Sequence, residues 1–176
     1  MKSMDALTLP ETVDLLNKCW MSHDGMWFFH CFHELGIQKA NELNKAAIRS
    51  LAHLEIDRIL ESFAIGRKDI SSFQRFREFF MEVSKIFIPE FMNVVWSFGV
   101  DDTLHWEFTE KKCFAYKGVR RIGVLDQYEC GVIYRVQCWL DELAIEYSID
   151  PAVKGCLMLT RNSCSGTIAL RFPGEE

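Results

Sequence analysis

The sequence predicts an α+β protein in which four N-terminal helices precede an antiparallel sheet of about four strands, with one further helix inserted. Two observations support this fold class. Apolar residues recur at helical spacing through the first half of the chain, and alternating β-forming residues take over after Pro89. The length of 176 residues fits one domain, residues 1–176, with a helical layer over about 8–88 and a sheet layer over about 91–172.

Capping and turn residues set the bounds of the predicted helices. Thr8 can cap the first helix, with Pro10 in its first turn and Glu11 closing a capping box. Ser22 or Asp24 can cap the second helix. The predicted helices cover about residues 9–21, 26–36, 37–65 and 70–87.

Alternation and turn residues place the strands in the second half of the chain. Large apolar residues alternate along the segment after Asp102, which puts Trp106 on one face of a strand and His105 with Glu107 on the other. The segment 113–126 is punctuated by glycines and is predicted to be irregular. The predicted strands cover about residues 91–98, 103–109, 153–160 and 166–172, and the inserted helix covers about 127–147.

Charge and hydropathy argue against two classes of partner. The net charge of −5, without a basic stripe, argues against a nucleic-acid partner. No apolar segment reaches the ~20 residues that span a bilayer, and residues 1–9 lack the basic and apolar regions of a signal peptide. We therefore expect a cytoplasmic protein that binds neither nucleic acid nor a membrane.

The seven cysteines are the most informative residues of the chain. Their number is odd and none belongs to a Cys-x-x-Cys pair, so they predict reduced thiols rather than a disulfide framework. Cys130 precedes Gly131 at the start of the inserted helix, where a helix N-terminus lowers the pKa of a thiol, and we take it as the candidate nucleophile.

A metal site is the second role open to the thiols. Cys130, Cys156 and Cys164 are the candidate ligands of a divalent metal such as zinc, with Cys113 in the same half of the chain. The alternative is that these thiols are packed, since free cysteine is among the most buried residue types. The spacing of Cys156 and Cys164 fits a packed hairpin pair as well as it fits a ligand pair.

A second candidate constellation lies at the predicted start of the second helix. His23 is the candidate general base and Asp24 the group that orients it, an arrangement that activates a nucleophile elsewhere in the fold. Trp27 and His30 share one side of that helix with His23 and are candidate ligand-binding residues. The alternative is that Asp24 caps the helix and the histidines pack among aromatic rings.

Three further polar residues are candidate ligand-binding groups. Asn44 and Glu55 fall inside an apolar helical stripe, where a carboxylate is costly to bury unless it is paired. Burial would raise the pKa of Glu55 toward a value useful for acid or base chemistry, whereas a salt bridge to Arg58 is the structural alternative. His105 faces either solvent or a pocket beneath the helices.

Three short segments carry a resemblance to a known family. They are residues 20–27 (WMSHDGMW), residues 42–45 (ELNK) and residues 128–131 (YECG). With these segments the chain resembles an uncharacterised family of small prokaryotic cytosolic proteins over nearly its whole length.

A more distant resemblance concerns the C-terminal half. The helix that begins at Cys130 and the two last strands, with Cys156 and Cys164, are similar in layout to two groups of proteins. One group is the 2-aminothiazoline-4-carboxylate hydrolases, which open a sulfur heterocycle, and the other is the 4-vinyl reductase domains, which are small ligand-binding modules. The resemblance implies a small-molecule pocket between helices and sheet and a bound metal.

The sequence thus predicts a cytosolic small-molecule-binding protein. If the protein is an enzyme, we expect a thiol- or metal-dependent hydrolase of a small heterocycle or amide. The alternatives are a non-catalytic ligand-sensing module of the 4-vinyl reductase type and a homodimeric interaction protein.

Overall fold

The computed structural model describes residues 3–172, so residues 1–2 and 173–176 of the predicted domain lie outside the described residues. The fold class is α+β, but the prediction of four N-terminal helices with one further helix is wrong. One long helix and one shorter helix precede the sheet, and three helices follow the second strand. The elements are α1 (Leu9–Phe63), α2 (Phe73–Phe87), β1 (Val94–Phe98), β2 (Thr103–Phe108), α3 (Phe114–Arg121), α4 (Gly131–Glu142), β3 (Glu146–Asp150), α5 (Leu157–Thr160) and β4 (Cys164–Arg171).

Helix α1 begins at the predicted capping box and continues through the predicted break at residues 22–25. Thr8 Oγ1 accepts a hydrogen bond from Glu11 N, and the Glu11 carboxylate accepts one from Thr8 N. Ser22 does not cap a new helix, because its hydroxyl donates to the carbonyl oxygen of Lys18 one turn earlier, a bond made by serines inside helices. Residues that favour caps are therefore accommodated within this helix.

Gly36 interrupts α1 and reverses the direction of the chain. Its φ of 79° and ψ of 166° lie in a region that glycine alone adopts readily. A straight helix would separate Trp20 from Glu55 by about 52 Å at 1.5 Å per residue, yet both side chains contact Arg135. The helix therefore doubles back at Gly36. We call its two parts the first arm (residues 9–35) and the second arm (residues 37–63).

Two buried asparagines fasten these arms to the rest of the fold. Asn17 Nδ2 in the first arm donates to the carbonyl oxygen of Ile86 at 2.8 Å. Asn41 in the second arm donates to the carbonyl oxygen of Gln127 at 2.8 Å and accepts from the backbone N–H of Glu129 at 3.2 Å. The side-chain amides pair with a carbonyl group in the last turn of α2 and with two backbone groups of the loop before α4.

The sheet is antiparallel throughout, in the order β1-β2-β4-β3. Leu104, Trp106 and Phe108 of β2 point to the same face and are buried beneath the helices, as the alternation predicts. The buried cluster that they join includes residues of the second arm, α2, α4 and β4. Helix α2 covers β1 through aromatic contacts such as Phe80 with Trp96, whose ring centroids are 5.2 Å apart.

The elements of the second half differ from the predicted ones. The strand predicted at residues 153–160 is wrong, since α5 lies there. The fourth strand is β3, which begins in the last two residues of the segment predicted to be helical and extends beyond it. Helix α4 ends because Ala144 adopts a left-handed conformation with a φ of 56°, and β3 then alternates in burial and pairs Ile149 with Ile168 of β4. Helix α3 occupies part of the segment predicted to be irregular. Among residues 3–172, no helix is both long and apolar enough to cross a bilayer.

Candidate functional site

Four of the seven cysteines meet around one small cavity between the sheet and helices α3, α4 and α5. Cys113 precedes α3, Cys130 precedes α4, Cys156 precedes α5 and Cys164 begins β4. We call this group the thiol cluster. The cavity measures about 20 Å³, which is room for about one water molecule. Its other walls are apolar or aromatic, and Tyr128 is one of them.

Three of these thiols lie at the N-termini of helices, and two of them interact with the first backbone N–H groups of their helix. Cys113 Sγ is within reach of the backbone N–H groups of α3, and Cys130 Sγ is within reach of those of Val132 and Ile133 in α4. Burial nevertheless raises the pKa of the Cys130 thiol and outweighs these N–H groups, which lower it. The expectation of a lowered pKa at Cys130 is therefore wrong, because desolvation is the larger effect.

Trp106 adds a hydrogen-bond donor to the thiol cluster. Its indole is only 1% exposed and lies beside Cys164, whose pKa burial raises to about 12 although the indole opposes the rise. Within the described residues, Trp106 Nε1 has no conventional hydrogen-bond partner. An indole N–H is a donor only, so it would be satisfied by an anionic sulfur.

The thiols do not form a ready-made metal site. Over residues 3–172, no three His, Cys, Asp or Glu side chains are arranged so that they could hold a metal ion as they stand. The four cysteines line one cavity, and metal binding would require their side chains to rearrange.

The predicted base and its orienting carboxylate lie elsewhere, on the first arm. The His23 side chain is 78% exposed, with Nδ1 3.8 Å from Asp24 Oδ1. The walls of the thiol-lined cavity do not include His23 or Asp24. Partial desolvation raises the pKa of Asp24, while Arg135 and then His23 lower it, so this carboxylate faces Arg135 rather than Cys130. The structure thus separates the predicted base from the predicted nucleophile.

Glu55 is paired within a buried cluster, although not with Arg58. Its carboxylate is 6% exposed and accepts hydrogen bonds from Arg135 Nε at 3.1 Å, from Arg135 Nη2 and from Trp139 Nε1 at 2.9 Å. The Arg135 guanidinium also lies over the rings of Trp20 and Trp139, 4.7 and 5.0 Å from their centroids. The buried carboxylate thus has its counter-ion and a further donor inside the fold, which indicates a structural role for Glu55.

The other predicted ligand-binding residues do not share a site. Trp27 is 63% exposed on the first arm, and His30 on the same arm is exposed with its ring against Phe29. Asn44 belongs to the second arm, and its side chain lies against the start of α4. A Cβ added to Gly131 would be 2.9 Å from Asn44 Nδ2. That contact places Asn44 near Cys130 in the fold.

His105 lies on the face of the sheet opposite the thiol cluster. Trp106 and Phe108 face the helices, so the intervening side chains of β2 point the other way. His105 Nδ1 is 2.8 Å from Thr167 Oγ1, and its Nε2 is 3.2 Å from Thr103 Oγ1. His105 therefore cannot contact a ligand in the thiol-lined cavity.

Three residues of these sites are not among the site residues predicted from the sequence. Cys113 belongs to the group of thiols in the second half of the sequence but is not among the three predicted metal ligands. Arg135 and Trp106 carry no motif, and each gains its role from a partner distant in the chain. The one usable signal for Arg135 is that it is the single basic residue of α4, while Glu55 is a carboxylate within the apolar stripe of α1.

The buried thiols predict a loss of stability in alkali. Burial raises the pKa of Cys113 to about 11 from its ordinary 9.0. Below pH 9.0 the Cys113 thiol does not reduce the free energy of unfolding, because it is protonated in both the folded and the unfolded chain. Between pH 9.0 and about 11 only the unfolded chain releases the proton, so unfolding becomes easier by about 1.4 kcal/mol per pH unit for this thiol. Urea unfolding of reduced protein from pH 8 to pH 11 measures the slope.

Cys113→Ala is the matched comparison for this prediction. Lysine and tyrosine titration is common to both proteins, so the difference between their slopes isolates the thiol. We expect the variant to lose stability less steeply above about pH 9. Parallel slopes would show that Cys113 ionises equally in the folded and unfolded chains.

Fold and site together define an α+β protein with a thiol-lined cavity between an antiparallel sheet and its helices. The chain belongs to a family of unknown function (DUF6125), whose model matches residues 6–136. The matched range contains Cys113 and Cys130 and ends before Cys156 and Cys164. No curated protein and no solved structure matches the chain. The distant resemblance to aminothiazoline carboxylate hydrolases and 4-vinyl reductase domains stays a prediction.

Proposed function

We propose that the protein binds one thiophilic metal ion, such as zinc, through Cys113, Cys130, Cys156 and Cys164. The observation that carries the proposal is the meeting of four thiols from four separate places in the chain around a cavity of single-ion size. Thiolate sulfur is the preferred ligand of zinc and copper(I) in proteins. The proposed set adds Cys113 to the three ligands predicted from the sequence.

The surroundings of the thiol cluster favour thiolates once a cation is present. Each thiol releases one proton to solvent when its sulfur binds the metal. The N–H groups at the start of α3 and α4 then donate to sulfur anions, and Trp106 Nε1 gains the acceptor that it lacks. Lys45 lies close enough to lower the pKa of Cys130, although burial outweighs it.

A four-thiolate site is closed, which favours a structural, storage or sensing role over catalysis. Catalytic zinc keeps one position open for water or substrate. A cavity of about 20 Å³ has no room for a heterocycle beside the metal. Hydrolysis of a small heterocycle or amide stays a prediction, and it would require the cavity to open and His23 to approach it.

Cadmium titration tests the proposal. We expect reduced, chelator-stripped protein to bind one Cd²⁺ per chain, with a thiolate charge-transfer band in the ultraviolet. Cys130→Ser should weaken binding at least about tenfold, and Cd²⁺, the softer cation, should displace bound Zn²⁺ from the thiolates. Bound metal should also raise the free energy of unfolding by about 2.7 kcal/mol at a free concentration one hundred times Kd.

Cys138→Ala provides the matched control. Cys138 is buried, like Cys113 and Cys164 of the cluster, but lies on α4 outside the cavity. Its removal should leave the stoichiometry and the absorption band unchanged. Absence of the band in the wild-type protein, or equal weakening in both variants, would contradict the proposal and leave the four thiols as packed side chains.

A homodimer is the second candidate function, and the first arm favours it. Several large apolar side chains there are more than half exposed: Leu9, Leu15, Leu16, Met26, Trp27 and Leu35. Burying them against the same arm of a second copy would form a symmetric interface. Light scattering of the purified protein tests this, and a monomeric mass at high concentration would contradict it.

A further inference from the structure

A second, larger concave site lies at the turn between α1 and α2. It is a groove of about 490 Å³, which falls in the size range of small-molecule sites. The rings of Phe63 and Phe79 meet edge to face in its wall, with centroids 6.5 Å apart. Phe63 is 36% exposed, so part of an aromatic face is open to a ligand. We call this site the turn groove.

The charges around the turn groove leave one cation without a partner. Arg75 Nη1 donates to Glu78 Oε2 at 3.2 Å, and Asp69 Oδ2 accepts from the backbone N–H of Gly66 at 2.7 Å. Lys68 lines the groove as well, and in the part of the chain that the structure describes it has no carboxylate within 4.0 Å. An anionic ligand would supply the partner that Lys68 lacks.

The backbone at the start of α2 adds partial positive charge beside Lys68. Ser71 lines the groove and stands just before α2, whose N-cap is Ser72. The first turn of α2 contains no acidic residue, so its positive end is not neutralised by a side chain. The carbonyl oxygen of Leu60, at the end of α1, accepts hydrogen bonds from Ala64 N and Ile65 N. Lys68 and the start of α2 thus carry positive charge at the groove, while Asp69 and Glu78 already accept hydrogen bonds from Gly66 N and Arg75.

We propose that the turn groove binds a small organic monocarboxylate with an apolar or aromatic body. The body would lie against Phe63 and Phe79, and the carboxylate would pair with Lys68 near the start of α2. The proposal rests on the volume, the open aromatic wall and the unpaired cation, and it is independent of the thiol cluster. A neutral molecule of the same shape would leave Lys68 unpaired.

The probe is 4-phenylbutyrate, with 4-phenylbutyramide as its uncharged match. We expect chemical-shift changes in amide NMR spectra confined to residues around Phe63, Lys68 and α2. The carboxylate should bind about tenfold more tightly than the amide. Lys68→Met should remove that preference while leaving weak binding of both molecules, because the aromatic wall is intact.

Lys117→Met is the control for net charge, since Lys117 is an exposed lysine of α3 outside the groove. It should leave the affinity for 4-phenylbutyrate unchanged. Phe63→Ala should weaken carboxylate and amide alike. The proposal is overturned if neither probe binds, if both bind equally to the wild-type protein, or if Lys117→Met weakens binding as much as Lys68→Met.

Discussion

Replacing Arg135 with methionine should cost about 3–5 kcal/mol of the free energy of unfolding, because it leaves the buried carboxylate of Glu55 without its counter-ion. Glu55 is 6% exposed and would keep one hydrogen bond, from Trp139 Nε1. The methionine would also lose the cation–π contact with Trp20, which holds the first arm against α4. Urea unfolding with a fitted m value measures the change.

An exposed ion pair between the same two helices provides the control. Arg49 of α1 pairs with Asp141 of α4 at 2.6 Å, and both side chains are more than a third exposed. Arg49→Met should therefore cost no more than about 1 kcal/mol. Equal losses from Arg49→Met and Arg135→Met would mean that burial does not distinguish the two pairs.

A second variant separates the unpaired charge from the lost packing. Glu55→Gln added to Arg135→Met removes the charge, while a side-chain oxygen can still accept from Trp139 Nε1. We expect the double variant to be more stable than Arg135→Met alone, since the stranded carboxylate is the main cost. A further loss in the double variant would instead assign the cost to packing around Trp20.

Gly166→Ala should destabilise the protein by about 3 kcal/mol or more, the upper part of the range for overpacked cores. Gly166 pairs with Trp106 across β4 and β2. A Cβ at this position would come within 2.5 Å of Trp106 Cζ2 and 2.6 Å of the carbonyl oxygen of Asp150. Trp106 is 1% exposed and β3 supplies the backbone oxygen, so neither neighbour can move freely.

Two comparisons make the Gly166 prediction specific. Gly118→Ala, in the middle of α3, meets nothing within 4 Å and should stabilise the protein by up to about 1 kcal/mol, because alanine is the better helix former. In the Trp106→Phe background the smaller ring makes room, and Gly166→Ala should cost less there than in the wild-type protein. An unchanged cost would assign the strain to the backbone of β3 instead.

Local patterns determined the parts of the fold that depend on neighbouring residues. The capping box at Thr8, the helix ending before Pro89 and the alternation around Trp106 are each set within a few residues. The same reasoning failed at residues 22–25 and in the segment that contains β3. A polar residue inside a helix and an alternating strand after a helix are decided by what packs against them, so local propensity was overruled there.

The sequence alone determined that the protein is an α+β chain with unpaired thiols concentrated in its second half, because residue types and short-range periodicity are sufficient for that. Only the tertiary structure decided which side chains meet. Four cysteines line one cavity, Glu55 pairs with Arg135, and His23 is exposed to solvent. The cysteines and the Glu55–Arg135 pair join residues far apart in the chain, and their meeting depends on the packing of α1 against α4 and on strand register, neither of which a local pattern specifies.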